Sequence, residues 1–109
     1  MADFELSGGV LKVNRDLHQE LEAEFKEKVQ QLLGSGSAEL VLDLTGVNYM
    51  RSYHLSILVS LHLDAQERGK SLRVVASPKI ADLAEMAGLS ELLMLERAPQ
   101  VRRPAKDRA

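Results

Sequence analysis

Residues 39–68 read ELVLDLTGVNYMRSYHLSILVSLHLDAQER, an apolar strand that runs through a glycine-containing turn into an apolar helix. Leu40, Val41, Leu42 and Leu44 form a nearly continuous apolar run, the pattern of a strand covered on both faces, and Thr45-Gly46 is the turn signal behind it. From Ser52 to about Arg68 the apolar residues Leu55, Ile57, Leu58, Val59, Leu61 and Leu63 occupy most of a helix circumference, which predicts a largely buried helix. Ser52, Ser56 and Ser60 recur every fourth residue. Small side chains at that spacing allow close backbone approach, so Ser56 and Ser60 are read as packing residues and the joint itself, Arg51 to His54, as the candidate site.

On the N-terminal side, Gly34-Ser35-Gly36-Ser37 separates this strand from an amphipathic helix beginning near Leu17, with Leu21, Phe25, Val29, Leu32 and Leu33 on its apolar stripe. Glu22/Lys26 and Glu24/Lys28 are i,i+4 pairs in the favourable orientation, and a glycine is expected to supply a left-handed C-terminus. Earlier still, Phe4–Leu6 and Val10–Val13 read as strands joined by a Ser7-Gly8-Gly9 turn. On the C-terminal side, Arg68-Gly69-Lys70 stops the helix and Leu72–Ala76 resumes a strand. Ser77 is placed as N-cap and Pro78 as first residue of a third helix, striped by Ile80, Leu83, Ala84 and Ala87 and ended by Gly88. Glu91–Leu95 reads as a helical turn or an edge strand. The expected fold is an α/β single domain over residues 1–97, a mixed sheet of four to five strands with helices packed on it, followed by a flexible basic tail at 98–109.

The 109 residues suffice for one modest core, which two Phe, two Tyr and no Trp leave to aliphatic side chains. Residues 97–109 carry five of the fourteen basic residues against Asp107 alone, so the body is acidic and nucleic acid is not the expected partner. The absence of Cys removes disulfides, thiolate chemistry and Cys-based zinc sites, and fits a reducing, cytoplasmic setting. MADFELSGGV shows no basic-then-apolar leader, and Leu55–Leu63 is too short and too interrupted to span a bilayer.

The order of elements, with LVLDLTGVNYM (40–50), AQERGKSLRVVASP (65–78) and IADLAEMAGLSELL (80–93), resembles the STAS family, the domain of anti-sigma-factor antagonists and of related regulatory and transport-associated proteins. The resemblance implies a non-enzymatic module that docks on a protein partner. In the antagonist branch that partner is an anti-sigma factor acting as a serine kinase, and the joint usually reads Asp-Ser-Ser-Gly with the first Ser as acceptor. Here it reads Arg51-Ser52-Tyr53-His54, which aligns Ser52 with the acceptor but replaces the acid by a base and the small pair by two rings. The acidic residue common at the start of the family's first helix corresponds to His18, with Asp16 close by. The resemblance thus points to Asp16, His18, Arg51, Ser52, Tyr53 and His54 as partner-binding residues. The alternative it leaves open is a constitutive subunit docked on the ATPase of a lipid or small-molecule transporter.

Taken singly, these residues have plainer readings. Ser52 can be only a helix N-cap, although a phosphate there would meet free amides, the positive end of the helix dipole and Arg51. Arg51 can be a solvated side chain, and Tyr53 can fold back over the core. His54 and His62 are eight residues apart and His18 is remote, so no zinc spacing exists. Ser52 and His54 lack a Gly-x-Ser-x-Gly elbow, and Gly34-Ser35-Gly36 follows a helix rather than a strand, unlike a phosphate-binding loop. No enzymatic activity, metal or cofactor is expected.

Overall fold

In the computed structural model, which describes residues 3–89 and 96–97, the chain opens with an antiparallel hairpin, β1 (Phe4–Ser7) and β2 (Val10–Val13). Gly8 has φ 60°, at the position a type II′ turn reserves for glycine. A 3₁₀ turn (Gln19–Leu21) leads into α1 (Glu22–Leu33), and β3 (Glu39–Leu44), α2 (Ser52–Glu67), β4 (Ser71–Ala76), α3 (Pro78–Met86) and the two-residue β5 (Glu96–Arg97) follow. The sheet order is β1-β2-β3-β4-β5, with β1 antiparallel to β2 and every other neighbour parallel. The expected mixed α/β sheet is therefore present. Glu91–Leu95 and the tail at 98–109 lie outside the described residues.

The register explains which face the helices cover. Leu11 pairs with Leu42 and Leu42 with Val74, so these three share one face, and all are buried. Leu40, Leu44 and Ala76 extend that face and are also buried. The alternate positions give the rows Val10–Val41–Arg73 and Lys12–Asp43–Val75–Glu96, whose members are exposed or half-buried. The expectation of a β3 covered on both faces is corrected here. Its apolar run includes Val41, but burial alternates with the two-residue pleat, and Val41 lies half-buried between the exposed Val10 and the charged Arg73. On that second face Arg73 grips Glu96 with two bonds of 2.8 Å, which hold the carboxyl below its ordinary range.

Helix ends follow local chemistry. Glycines at φ 70° (Gly69) and 75° (Gly88) close α2 and α3 in Schellman pairs: Lys70 and Gly69 amides donate to Ala65 and Gln66, and Leu89 and Gly88 amides to Ala84 and Glu85. At α1 the expected left-handed glycine is displaced: Gly34 sits at φ −89°, and the left-handed residue is Gly36 at 87°. The start of α1 is also later than expected, since Leu17 is a buried residue of the connection ahead of the 3₁₀ turn.

The buried side of α2 consists of His54, Leu55, Ile57, Leu58, Leu61 and Ala65, packed toward α1 and the sheet. Ser56 and Ser60 are exposed, and Leu63 is 48% exposed, so the serine row does not pack and the helix is buried on one side only. Ala87, expected on the α3 stripe, is exposed as well, whereas Ile80, Ala81 and Ala84 are buried. Among the described residues no helix is long and apolar enough to cross a membrane.

The hairpin glycines differ in what they tolerate. A Cβ on Gly8 meets nothing within 4 Å, but one on Gly9 would run into the Glu39 carbonyl and the Ser37 side chain. Gly8→Ala should therefore lose only the left-handed penalty, about 1–2 kcal/mol, whereas Gly9→Ala must push β2 off β3. Urea unfolding should rank Gly9→Ala as the more damaging, by about 1–3 kcal/mol relative to wild type for the overpacking alone.

Candidate functional site

In open parallel sheets, ligands and partners meet the fold beyond the carboxyl ends of the strands, and in this sheet the β2, β3 and β4 connections converge there. The connection 45–51 between β3 and α2 is tied down on several sides. Asp43 Oδ1 accepts from the Thr45 amide at 2.9 Å and its hydroxyl at 2.6 Å, and the Val47 amide donates to the Leu44 carbonyl. From the β2–α1 connection, Asp16 Oδ1 accepts the Asn48 amide at 2.7 Å and the Leu17 amide donates to the Tyr49 carbonyl at 2.8 Å. From the β4–α3 junction, buried Ser77 donates its hydroxyl to the Val47 carbonyl at 2.5 Å while accepting the Ile80 amide at 3.3 Å. Gly46 lets the two connections touch, since a Cβ there would lie 3.2 Å from the Val13 carbonyl.

Val47 and Met50 anchor this connection in the core, which leaves Tyr49 turned outward and 46% exposed, with the His18 ring stacked on it at 5.1 Å. The N-cap of α2 is Arg51, and Ser52 is the first helical residue. That corrects the plain reading of Ser52 as N-cap. The Ser52 side chain is exposed and bonds to no described residue, so its hydroxyl caps nothing. Arg51 cannot cap with a side chain that only donates; its guanidinium reaches Glu22 on α1, Nε to Oε2 3.3 Å.

His54 supplies the cap instead. Its Nδ1 accepts the Arg51 amide at 3.1 Å, the role an N3 Glu or Gln plays in a capping box. The ring is fully buried, edge-on to Phe25 at 5.5 Å and to Tyr53 at 6.1 Å. His54 therefore contributes no surface to a partner, contrary to its place among the expected contact residues. Burial holds its basicity below the ordinary imidazole value; Glu22 opposes that shift, and Arg51 and His18 add to it.

The surface that results is an open depression of about 610 Å³ between the mouth of α2 and the end of α3, lined by Tyr49, Arg51, Ser52, Tyr53, Leu83 and Met86 among others. Tyr53 is 42% and Met86 84% exposed. The large side chains of Tyr49, Tyr53 and Met86 stand around a hydroxyl that bonds to no described residue, and residues of these types are enriched at protein interfaces. Among the described residues no group of His, Cys, Asp or Glu could hold a metal. Of the residues singled out in the sequence, Arg51, Ser52 and Tyr53 share this surface, His18 borders it through Tyr49, and Asp16 holds the backbone beneath it. Tyr49, Leu83 and Met86 were missed. Met86 had a legible signal, an apolar residue off the buried stripe of α3; Tyr49 had none, because its direction depends on Val47 and Met50 pointing inward.

A family model described as Mlab, STAS domain matches residues 1–96. The chain belongs to the STAS family. No curated protein matches its sequence. Among solved structures, this STAS domain is similar to an anti-sigma factor antagonist from Mycobacterium paratuberculosis, with TM-score 0.70 and 21% identity over 90% of this chain and 84% of that one. It is likewise similar to the phosphorylated form of the Bacillus cell fate determinant SpoIIAA, with TM-score 0.61 and 12% identity over 89% and 90% of the two chains. A third likeness, with TM-score 0.61 and 19% identity over 87% of each chain, is to the complex of the diguanylate cyclase SiaD with its activator SiaC from Pseudomonas aeruginosa. At these identities the likeness is one of fold.

The Ser77 hydroxyl serves α3 and the 45–51 connection together. Ser77→Ala should cost about 2 kcal/mol, the sum of a lost N-cap and a buried carbonyl left without this donor. Chemical denaturation measures the loss, and amide shifts of Val47–Met50 should move with it.

Proposed function

We propose that this STAS domain is a protein-docking module without enzymatic activity of its own. Its contact surface is the depression formed by Tyr49, Arg51, Ser52, Tyr53 and Met86, its partner is a serine-kinase anti-sigma factor, and phosphorylation of Ser52 weakens the complex. The observation that carries this reading is the position of Ser52, an exposed hydroxyl that bonds to no described residue, on the first turn of a sixteen-residue helix and ringed by exposed aromatic and apolar side chains. A phosphate on that oxygen adds close to two negative charges. It would gain about 0.3–1 kcal/mol from the helix terminus, with Arg51 beside it, so the folded domain accommodates it. A partner that had buried the uncharged hydroxyl against Tyr49, Tyr53 and Met86 would have to desolvate the dianion, and docking would weaken.

A second reading, a constitutive subunit of a transporter ATPase complex, is favoured by one specific feature. The acid and small pair of the usual Asp-Ser-Ser-Gly joint are replaced by Arg51, Tyr53 and His54, and a domain that only docks has no need of a kinase recognition surface. A cytoplasmic setting suits both readings.

Affinity purification of the domain from its own cells separates them: recovery of a kinase-type anti-sigma factor supports the first, recovery of an ATP-binding transporter subunit the second. With the kinase in hand, intact-mass measurement should show one added phosphate on wild type and none on Ser52→Ala; an unmodified wild type ends the switch. Under either reading Tyr53→Ala should weaken partner binding about tenfold or more while leaving the fold intact, as expected for an aromatic interface anchor.

A further inference from the structure

His54 holds the first turn of α2 by accepting a hydrogen bond, and an imidazole can accept only while neutral. With Nδ1 engaged by the Arg51 amide, the ring proton must sit on Nε2, which is buried and has no hydrogen-bond partner among the described residues. The ring is enclosed by Phe25 from α1 and Tyr53 from its own helix. The charged or titratable groups that face it are Glu22 on α1, Arg51 at the N-cap and His18 from the β2–α1 connection. Glu22, the one anion of the three, is already paired with Arg51.

A second proton would have to go on Nδ1. There its N–H would oppose the Arg51 N–H, and the new cation would sit buried, next to Arg51 and at the positive end of the α2 dipole. Each consequence disfavours the closed turn, and none is relieved while the ring stays inside.

We propose that the first turn of α2 is a proton-operated latch: neutral His54 keeps Arg51, Ser52 and Tyr53 in place, and its protonation opens the turn and disorders that part of the surface. The relevance to docking rests on the function proposed above; the latch itself does not. The closed state binds fewer protons than the open one, because the folded imidazole ionises below its ordinary value of 6.5. The latch is therefore at full strength above about pH 6.5 and weakens as the pH falls through and below that value, the open fraction rising by up to about tenfold per pH unit.

The chain alone suffices for the test. Two-dimensional ¹⁵N NMR of the imidazoles should show His54 as the Nε2–H tautomer at pH 7.5. Hydrogen-exchange protection of the Leu55 and His54 amides, normalised for intrinsic rates, should fall between pH 6.5 and 5.5 by up to about fivefold in wild type. In His54→Gln, whose side-chain carbonyl can accept the Arg51 amide at every pH, protection should stay flat over that range. Equal pH dependence in the two proteins, or a charged or Nδ1–H His54 at pH 7.5, overturns the proposal. Should His54→Gln not fold, the wild-type titration decides: Arg51–Tyr53 amide shifts that follow the His54 ring support the latch, and a His54 titration that leaves them unmoved sinks it. Partner affinity is read separately, so a latch that opens without loss of affinity counts against the docking surface and not against the latch.

Discussion

Leu40, Leu42 and Leu44 leave β3 on one face of the sheet, and burying that face determines where everything else can go. Each leucine contributes about 1.5–3 kcal/mol when fully removed from water, and the row continues sideways into Leu11, Val74 and Ala76. With hardly any aromatic residues to fill space, aliphatic side chains of α1 and α2 must cover it closely. The connection from β3 to α2 is then forced to cross the carboxyl end of the sheet, where Val47 and Met50 dip into the same core.

That crossing makes a surface as well as a joint. The backbone of 45–51 is held by Asp16, Leu17 and Ser77, residues from two other connections, so the exposed side chains it carries stand on a rigid base. Positioning of this kind lowers the ordering cost of an interface, which otherwise offsets much of the gain from contact. The Ser52 hydroxyl is exposed and bonds to no described residue; it lies at a helix N-terminus, whose dipole favours an anion, on the same surface as Tyr53 and Met86.

The substitution of the usual joint also has a structural logic. Where a small residue would leave space under the first turn of α2, His54 fills it against Phe25 and supplies the acceptor that Ser52, one position too late, does not provide. Arg51, in place of an acid, is drawn to Glu22 and ties α2 to α1. These two departures form one arrangement in which capping, packing and charge are redistributed among neighbouring side chains.

The order of elements, the hairpin glycines, the ends of α2 and α3 and the Ser77-Pro78 start of α3 were legible in the sequence because each follows from chemistry within a few residues. The STAS fold was legible for the same reason, and so was the placement of Ser52 at the mouth of α2. What depended on distant parts of the chain was not. Val41 read as a core residue until the register set it beside Arg73, and the serine row of α2 read as a packing face until the sheet chose the opposite side of that helix. His54 read as part of the surface because its spacing from Ser52 says nothing of Phe25, far earlier in the chain, and Tyr49 and Met86 line one depression that no local pattern encodes. Periodicity and turn residues, being local, were determined by the sequence alone; which face is buried and which side chains share a surface were decided only when the strands were registered and the helices laid across them.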